Sequence, residues 1–227
     1  MSKEIFKTIK KLRLTRGISQ AEMAQKMGIA RTSYIAVEQG NRELTLAEAA
    51  KIGDVFGLSL EELEGGSMPN YAKYKEIILA YLRDADRVGG AVPKTKLAKL
   101  VYLADFGWFY DHLFPMSGMS YRKFQFGPVP DAYFRAIEEL SEDGRISIEQ
   151  SGDAFLISEN RGSQKRPLGM LSRDESAFIK KVSDRWKHKR TKEIVDFTHN
   201  QLPYKLCADD EVIPYELITQ EDPENVY

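Results

Sequence analysis

Residues 19–40 read SQAEMAQKMGIARTSYIAVEQG, and this stretch carries the strongest structural signal in the chain. Ser19, followed three residues later by Glu22, forms a capping box, so a helix is expected over 20–27. A second helix is expected over 31–39. Each of the two helices is followed by glycine, which adopts the left-handed conformation that ends a helix. The stretch therefore predicts two short helices joined by a tight turn.

Helical signals continue on both sides of this pair. Ile5, Ile9 and Leu12 recur at helical spacing and predict a first helix over about 3–15. A fourth helix is expected after Leu44, and a fifth from Ser59. We assign to the core the apolar side chains of the central pair and its turn, which are Met23, Ala24, Met27, Ile29, Tyr34, Ile35 and Val37. The first 66 residues thus predict a five-helix domain.

Residues 5–64 resemble the helix-turn-helix domain of the Cro/repressor (XRE) family in apolar spacing, in the turn glycine, in Glu38-Gln39-Gly40 and in the Gly57-Leu58-Ser59 ending. In this motif the N-terminal residues of the second helix contact base edges in the major groove. The resemblance implies base contacts from Arg31, Thr32, Ser33 and Ala36, and phosphate contacts from Gln20, Asn41 and Arg42. An arginine can donate two hydrogen bonds to guanine, and a threonine methyl can contact thymine. Double-stranded operator DNA is therefore the expected ligand of this domain.

One recognition helix reads only a few base pairs, so a protein of this class gains affinity from a second copy on the next half-site. We therefore expect the chain to act on DNA as a homodimer. The sequence does not locate the dimer contact.

The charge of the 227-residue chain is unevenly distributed, although 33 Lys and Arg against 34 Asp and Glu leave a net charge of -1. Residues 1–42 hold nine bases and three acids, whereas residues 206–227 hold seven acids and no base. The basic residues 1–42 indicate a surface that binds a polyanion. The acidic residues 206–227 could compete with nucleic acid for a basic protein surface, or could simply be solvated.

Composition excludes several other classes of protein. Cys207 is the single cysteine and the three histidines are scattered, so neither a disulfide within the chain nor a structural metal site is expected. No apolar run reaches the ~20 residues of a membrane span, and the charged start does not read as a signal peptide. A cytoplasmic protein without a cofactor is expected.

A second, mostly helical domain with a small β-hairpin or sheet is expected after a linker at 67–71. The helix that follows Pro93 has a broad apolar stripe and should form the centre of the second core, with Lys96, Lys99 and Asp105 on its surface. A strand over 121–126 should end before Gly127-Pro128-Val129-Pro130, because proline lacks the ladder donor. A hairpin is expected over 146–157, and a long helical region over 172–200.

Three stretches of this second region, TKLAKLVYLADFGWF, YRKFQFGPVPDAY and IVDFTHNQLPY, resemble the SocA-like Panacea antitoxin domain, which is also found in phage-associated proteins. The resemblance covers about 72–205, with Tyr204 where the family tends to have tryptophan. It sets residues 206–227 apart as an acidic C-terminal tail. The positions that carry it, and that we take as candidates for toxin binding, are Lys96, Lys99, Tyr102, Phe126, Gly127, Pro128 and Tyr133.

The resemblance implies an antitoxin of a toxin–antitoxin system, which holds a cognate protein toxin inactive by direct binding and represses its own operon through the DNA-binding domain. The family pairs with unrelated toxins, so the fold does not name the partner. Gly127-Pro128 itself is more simply explained as a turn than as a contact.

Three alternatives stay open. An enzyme is disfavoured, because the sequence has no phosphate loop, nucleophile elbow or paired metal-ligand motif. A phage-type repressor could use its second domain for oligomerisation or ligand sensing. Helices followed by a hairpin over 93–157 are also compatible with a winged helix. The basic stretch Lys180, Lys181, Arg185, Lys187, Lys189, Arg190 and Lys192 could contact RNA, although a solvated surface is the simpler interpretation.

Overall fold

The computed structural model describes residues 3–15, 17–56, 69–86 and 90–227. It is mainly α-helical and divides into two compact units, Met1–Pro69 and Asn70–Tyr227. Within the described residues, no helix is both long enough and apolar enough to cross a bilayer.

The first unit is built from four described helices: α1 (Lys3–Thr15), α2 (Gln20–Met27), α3 (Arg31–Glu38) and α4 (Leu46–Phe56). The expected capping box is present, because Ser19 and Glu22 each accept a hydrogen bond from the backbone of the other. Gly28 ends α2 at a φ of 72°. The fifth helix expected from Ser59 and residues 67–68 of the expected linker lie outside the described residues, whereas residues 69–71 are described and Tyr71 already begins the next helix.

The core of this unit lies between the apolar faces of the helices, with Ile5, Ile9, Met27, Tyr34 and Ile52 among its fully buried side chains. Of the side chains assigned to the core from the sequence, Ile29 and Ile35 are only partly buried. The remaining five are buried, so the amphipathic pattern places the faces of α2 and α3 correctly.

The second unit begins with α5 (Tyr71–Asp86), β1 (Val92–Pro93), α6 (Lys94–His112), β2 (Tyr121–Phe124) and β3 (Gly127–Pro130). It continues with α7 (Ala132–Glu142), β4 (Ile146–Ser151), β5 (Ala154–Glu159) and α8 (Arg161–Gln164). Three further helices follow, α9 (Arg173–Trp186), α10 (Thr191–Asn200) and α11 (Leu202–Leu206). The strands form a three-stranded sheet of order β1-β5-β4 and a separate hairpin of β2 and β3, all antiparallel.

Helix α6 is the centre of this unit, as the sequence indicates, and every residue from Lys96 to Phe109 is buried. The expectation that Lys96, Lys99 and Asp105 lie on the surface is wrong, because α6 is packed on several sides by α5, α9, α10 and β3. Each of these three buried charged groups has a hydrogen-bond partner instead. Asp105 accepts hydrogen bonds from Ser117 and from the Tyr121 hydroxyl, the latter at 2.7 Å.

Residues 127–130 were expected to end the strand before them, but they form its partner strand. Tyr121 pairs with Pro130 and Lys123 with Pro128, so the chain turns back at Gln125 and Phe126. Pro128 and Pro130 are two residues apart, and their missing N–H groups therefore fall on the same side of the strand. That side needs no ladder hydrogen bond in a two-stranded hairpin.

The acidic C-terminal residues pack against the second unit. Ile213, Ile218 and Val226 are buried in its core, and short 3₁₀ helices cover Tyr215–Gln220 and Pro223–Asn225. The Gln201 side chain donates to the carbonyl of Val226 at 2.8 Å. Residues 206–227, which were expected to form an acidic C-terminal tail, therefore contribute apolar side chains to the core of the second unit.

Candidate DNA-binding and partner-binding sites

The start of α3 presents the side chains expected to read bases. Arg31 and Thr32 are exposed, and Ser33 and Ala36 are half-buried on the same helix. The N-cap residue is Ala30, which makes no side-chain hydrogen bond to the helix start. Because the first N–H groups of a helix lack intrahelical acceptors, this end is suited to a negatively charged ligand.

The three side chains expected to contact phosphate already have partners within the unit. The Gln20 amide donates to Glu38 at 2.9 Å, the Asn41 amide to Gln39 at 3.2 Å and the Arg42 guanidinium to Glu48 at 2.8 Å. Each of these groups has more than one N–H, so a bond within the protein leaves donors for a phosphate. The intramolecular bonds orient the three side chains.

A buried ion pair beneath α3 is absent from the sequence-based set of site residues. The Arg13 guanidinium donates to both carboxylate oxygens of Glu38, at 2.5 and 3.1 Å, and to the carbonyl of Ile18 at 2.8 Å. Glu38 also accepts from Gln20, so the network joins α1, the start of α2 and the end of α3. It fixes α3 against α1 and the start of α2.

The electrostatics of this network favour the charged carboxylate. Burial alone raises the pKa of Glu38, but the hydrogen bonds from Arg13 and Gln20 outweigh it and hold the pKa below its ordinary value. The sequence signal for this ion pair is Glu38 itself, an acid among apolar residues at the end of α3. An acid is rarely buried unless it is paired, so its position indicates a basic partner.

In the second unit, the β2–β3 turn rests on a buried lysine. The Lys99 ammonium is fully buried and donates to the carbonyl of Pro128 at 3.0 Å. Gly127 has a φ of 95°, and a Cβ there would lie 2.8 Å from both the Lys99 Nζ and the His199 Nε2 atoms. Only glycine therefore fits between the lysine, the histidine and the turn.

Burial governs the charge of these two basic groups. It lowers the pKa of Lys99 to about 7, because little nearby compensates for removing the ammonium from water. Burial also lowers the pKa of His199, and the neighbouring Lys99 lowers it further. The His199 ring stacks on Tyr204 with 4.3 Å between ring centroids.

The seven candidates for toxin binding separate into one exposed residue and a buried support. Phe126 is 70% exposed at the tip of the hairpin. The other six, Lys96, Lys99, Tyr102, Gly127, Pro128 and Tyr133, are buried. The Tyr133 hydroxyl donates to the carbonyl of Lys94 at 2.6 Å, and the Lys96 ammonium to that of Lys189 at 2.6 Å. Of these six, Lys99, Gly127 and Pro128 support the β2–β3 turn, and only the exposed Phe126 is available to contact a partner.

The basic stretch over 180–192 is interleaved with acids. Lys180 and Lys187 both pair with Asp184, at 3.2 and 2.9 Å, and Lys189 pairs with Glu193 at 3.4 Å. Exposed pairs of this kind are typical of a solvated helix surface. Among the described residues, no three His, Cys, Asp or Glu side chains converge to hold a metal ion.

Comparisons with known proteins match each unit separately. Residues 97–204 match the family model described as antitoxin SocA-like, Panacea domain, and residues 9–63 match the helix-turn-helix model. An uncharacterized HTH-type transcriptional regulator of Methanocaldococcus jannaschii is 33% identical over 55 residues, which are 24% of this chain and 83% of that relative. No solved structure matches the chain.

Proposed function

Because the chain belongs to the helix-turn-helix family of transcriptional regulators and carries a SocA-like Panacea domain, we propose that it is a DNA-binding antitoxin. In this proposal the second unit neutralises a cognate protein toxin by direct binding. The first unit binds operator DNA and represses the operon that encodes both proteins. The observation that carries the proposal is that the helix-turn-helix match and the SocA-like Panacea match fall in separate compact units of one chain.

The DNA-binding role rests on the geometry of α3. Arg31 and Thr32 contact base edges, with Ser33 and Ala36 facing the same groove. Gln20, Asn41 and Arg42 contact the phosphates on either side. The chain binds as a homodimer on two half-sites about one helical turn apart.

The neutralising role rests on the β2–β3 hairpin. Phe126 supplies an exposed aromatic side chain, and aromatic residues are enriched among those that dominate protein interfaces. Lys99, Gly127 and Pro128 hold the turn rigid, so Phe126 loses little freedom on binding.

Co-expression tests the proposal directly. The protein encoded by the reading frame adjacent to this gene should arrest growth when expressed alone, and growth should return when this chain is co-expressed. Phe126→Ala should reduce that rescue, whereas Phe114→Ala, which removes another exposed ring of the same unit, is the comparison. A neighbouring product that is harmless, or toxic but not bound, would contradict the antitoxin assignment.

A footprint on the DNA upstream of the gene tests the regulatory half. Two protected half-sites about one turn apart are expected from the dimer. Protection of a single half-site, or none, would contradict it.

A second candidate function is a repressor whose second unit senses a small molecule. An open cleft of about 410 Å³, lined by Arg83, Leu168, Ser176 and Lys180 among others, is large enough for a small ligand. The two functions differ in what releases the DNA: the neighbouring protein for an antitoxin, or a metabolite for a sensor. A footprint recorded with and without the purified neighbouring protein separates them.

A further inference from the structure

The second unit has the chain order of a winged helix. Helix α5, strand β1, helices α6 and α7 and the β4–β5 hairpin follow one another, with β2–β3 inserted between α6 and α7. The strand order β1-β5-β4 places the last strand in the middle, as in a winged helix. Helix α7 therefore occupies the position of a recognition helix, and the β4–β5 hairpin occupies that of the wing.

The charge of this part of the chain opposes DNA. Residues 131–160, which comprise the start of α7 through the end of the hairpin, hold eight acids and two bases. A DNA-reading element needs Lys and Arg to replace the counterions of the phosphates, as the nine bases of residues 1–42 can do. A net negative α7 surface would be repelled by the negatively charged duplex.

The one base of α7 contacts other side chains of the unit, and its own side chain is 56% exposed. The Arg135 guanidinium lies 4.7 Å from the Tyr71 ring centroid and 3.7 Å from the carboxylate of Glu139. Glu139 in turn pairs with Lys75 at 3.0 Å. The bases near α7 are thus engaged with side chains of the unit itself.

The outward side of α7 combines an aromatic ring with acids. Phe134, Glu138 and Glu142 are spaced four residues apart, so they form one stripe on the helix, and all three are exposed. Phe134 is 52% exposed, and the Lys94 ammonium lies 5.0 Å from its ring centroid. An exposed aromatic followed by two carboxylates along one helix stripe is suited to an apolar and basic protein surface.

Strand β4 packs against α7, and the β4–β5 hairpin carries exposed apolar side chains near its tip. Ile148 pairs with Ile157 and Phe155 with Gln150, so all four lie on the same face of the sheet. Ile157 is fully buried, whereas Ile148 and Phe155 near the tip are 38% and 49% exposed. The apolar face of the hairpin therefore continues beyond the core.

We propose that the α7–wing face, defined as Phe134, Glu138 and Glu142 with Ile148 and Phe155, binds a basic protein surface in place of DNA. The occupant is a protein with Lys and Arg around an apolar depression, the kind of surface that otherwise binds a polyanion. Opposite potentials favour association and the aromatic anchors stabilise the complex. Resting on the proposed function, this occupant is the toxin, and the face acts beside Phe126 as a second contact.

Titration calorimetry of the full chain with the purified product of the adjacent reading frame tests the proposal. Phe134→Ala should weaken binding by about tenfold or more, as loss of an aromatic anchor does. Glu138→Lys with Glu142→Lys should weaken it by at least about tenfold in 0.1 M NaCl, and by less in 0.4 M NaCl, because salt screens exposed charges. Asp111→Lys with Asp196→Lys reverses two exposed acids outside the face and outside the acidic C-terminal residues, and should bind like the wild type.

The outcomes separate this proposal from the proposed function. Wild-type chain that does not bind the neighbouring product overturns the antitoxin assignment and this proposal together. Wild-type binding that the α7 variants leave unchanged, or that the control pair weakens equally, overturns this proposal alone. Circular dichroism at each variant's binding temperature identifies misfolding, and for a misfolded variant the conservative pair Glu138→Gln with Glu142→Gln supplies the deciding affinity.

DNA binding by the winged-helix elements is the opposing result. The full chain with Arg31→Ala and Thr32→Ala has lost the base contacts of its first unit. If it still bound a random duplex, and Phe134→Ala abolished that binding, the α7–wing face would be a DNA reader and the proposal would be overturned.

Discussion

Glu38 shows at the scale of one residue how a buried charge supports the DNA-binding unit. Its side chain is 2% exposed and that of Arg13 is 8% exposed. Glu38→Gln leaves the Arg13 charge uncompensated and should cost about 3 kcal/mol of unfolding free energy. Urea denaturation followed by circular dichroism measures this loss. Glu22→Gln is the matched control and should cost little, because Glu22 is exposed and glutamine also completes a capping box.

The lowered pKa of Glu38 also predicts that the first unit loses stability at acid pH. Since the folded state holds the pKa of Glu38 below its ordinary value of 4.5, the pair stabilises the unit above about pH 4.5, and this contribution is lost as the pH falls through the folded pKa. The wild type should therefore lose more stability between pH 6 and pH 3 than Glu38→Gln. Equal losses in the two proteins would show that Glu38 is not held charged.

Lys99 predicts a pH dependence on the alkaline side. Its pKa is about 7 in the folded unit against 10.5 when exposed, so unfolding takes up a proton between these values. The second unit should become more stable as the pH rises from 7 to 9, and Lys99→Met should lack this part of the slope. Urea titrations at pH 7, 8 and 9 measure the slope, with the exposed Lys192→Met as control. A slope that survives in Lys99→Met would mean that the ammonium is not desolvated.

At the scale of an element, the β2–β3 hairpin depends on the missing side chain of Gly127. Gly127→Ala combines a φ of 95° with a Cβ 2.8 Å from two side-chain nitrogens, and should destabilise the second unit by about 1–3 kcal/mol. Thermal unfolding measures the shift. Gly152→Ala has a φ of 60° but no atom within 4 Å of the new Cβ, and should cost less. If both substitutions cost the same, the contact with Lys99 and His199 has no energetic weight.

The uncapped start of α3 predicts opposite effects on stability and DNA binding. Ala30→Asp adds a capping oxygen and a negative charge at the helix N-terminus, which should stabilise the unit by about 1 kcal/mol. The same carboxylate repels phosphate, so affinity for the DNA upstream of the gene should fall. Ala30→Ser supplies the cap without the charge and should lose less affinity. Fluorescence anisotropy measures both affinities. Equal affinity for Ala30→Asp and wild type would mean that no DNA phosphate lies near the N-terminus of α3.

The elements also show what the sequence could and could not predict. Capping residues and amphipathic spacing act locally, so the helices of the first unit and the β4–β5 hairpin follow from the pattern. The burial of Lys99 and Asp105 depends on which elements surround α6, and the pairing of 127–130 depends on the strand before it. A one-dimensional pattern does not contain these long-range contacts. The DNA contacts and the toxin contacts remain predictions.

At the scale of the molecule, the packing of residues 206–227 into the core decides how the role of their acidic charge can be tested. Removing residues 206–227 would expose the sites filled by Ile213, Ile218 and Val226, so a truncation would unfold the second unit as well as remove charge. Substituting exposed acids such as Asp209 and Glu216 by asparagine and glutamine changes the charge and keeps the core.

The division into two compact units predicts that DNA binding and toxin neutralisation can be separated. Arg31→Ala with Thr32→Ala removes two exposed side chains of α3 and should abolish binding to the upstream DNA, since each lost base contact costs about 1–3 kcal/mol. Rescue of growth from the neighbouring protein should be unchanged, because Phe126 and its support lie in the other unit. The reverse is expected for Phe126→Ala, which should bind DNA normally and rescue poorly. Gel-shift and growth assays on the same three proteins measure both activities, and parallel loss of both in either variant would mean that the two units act as one.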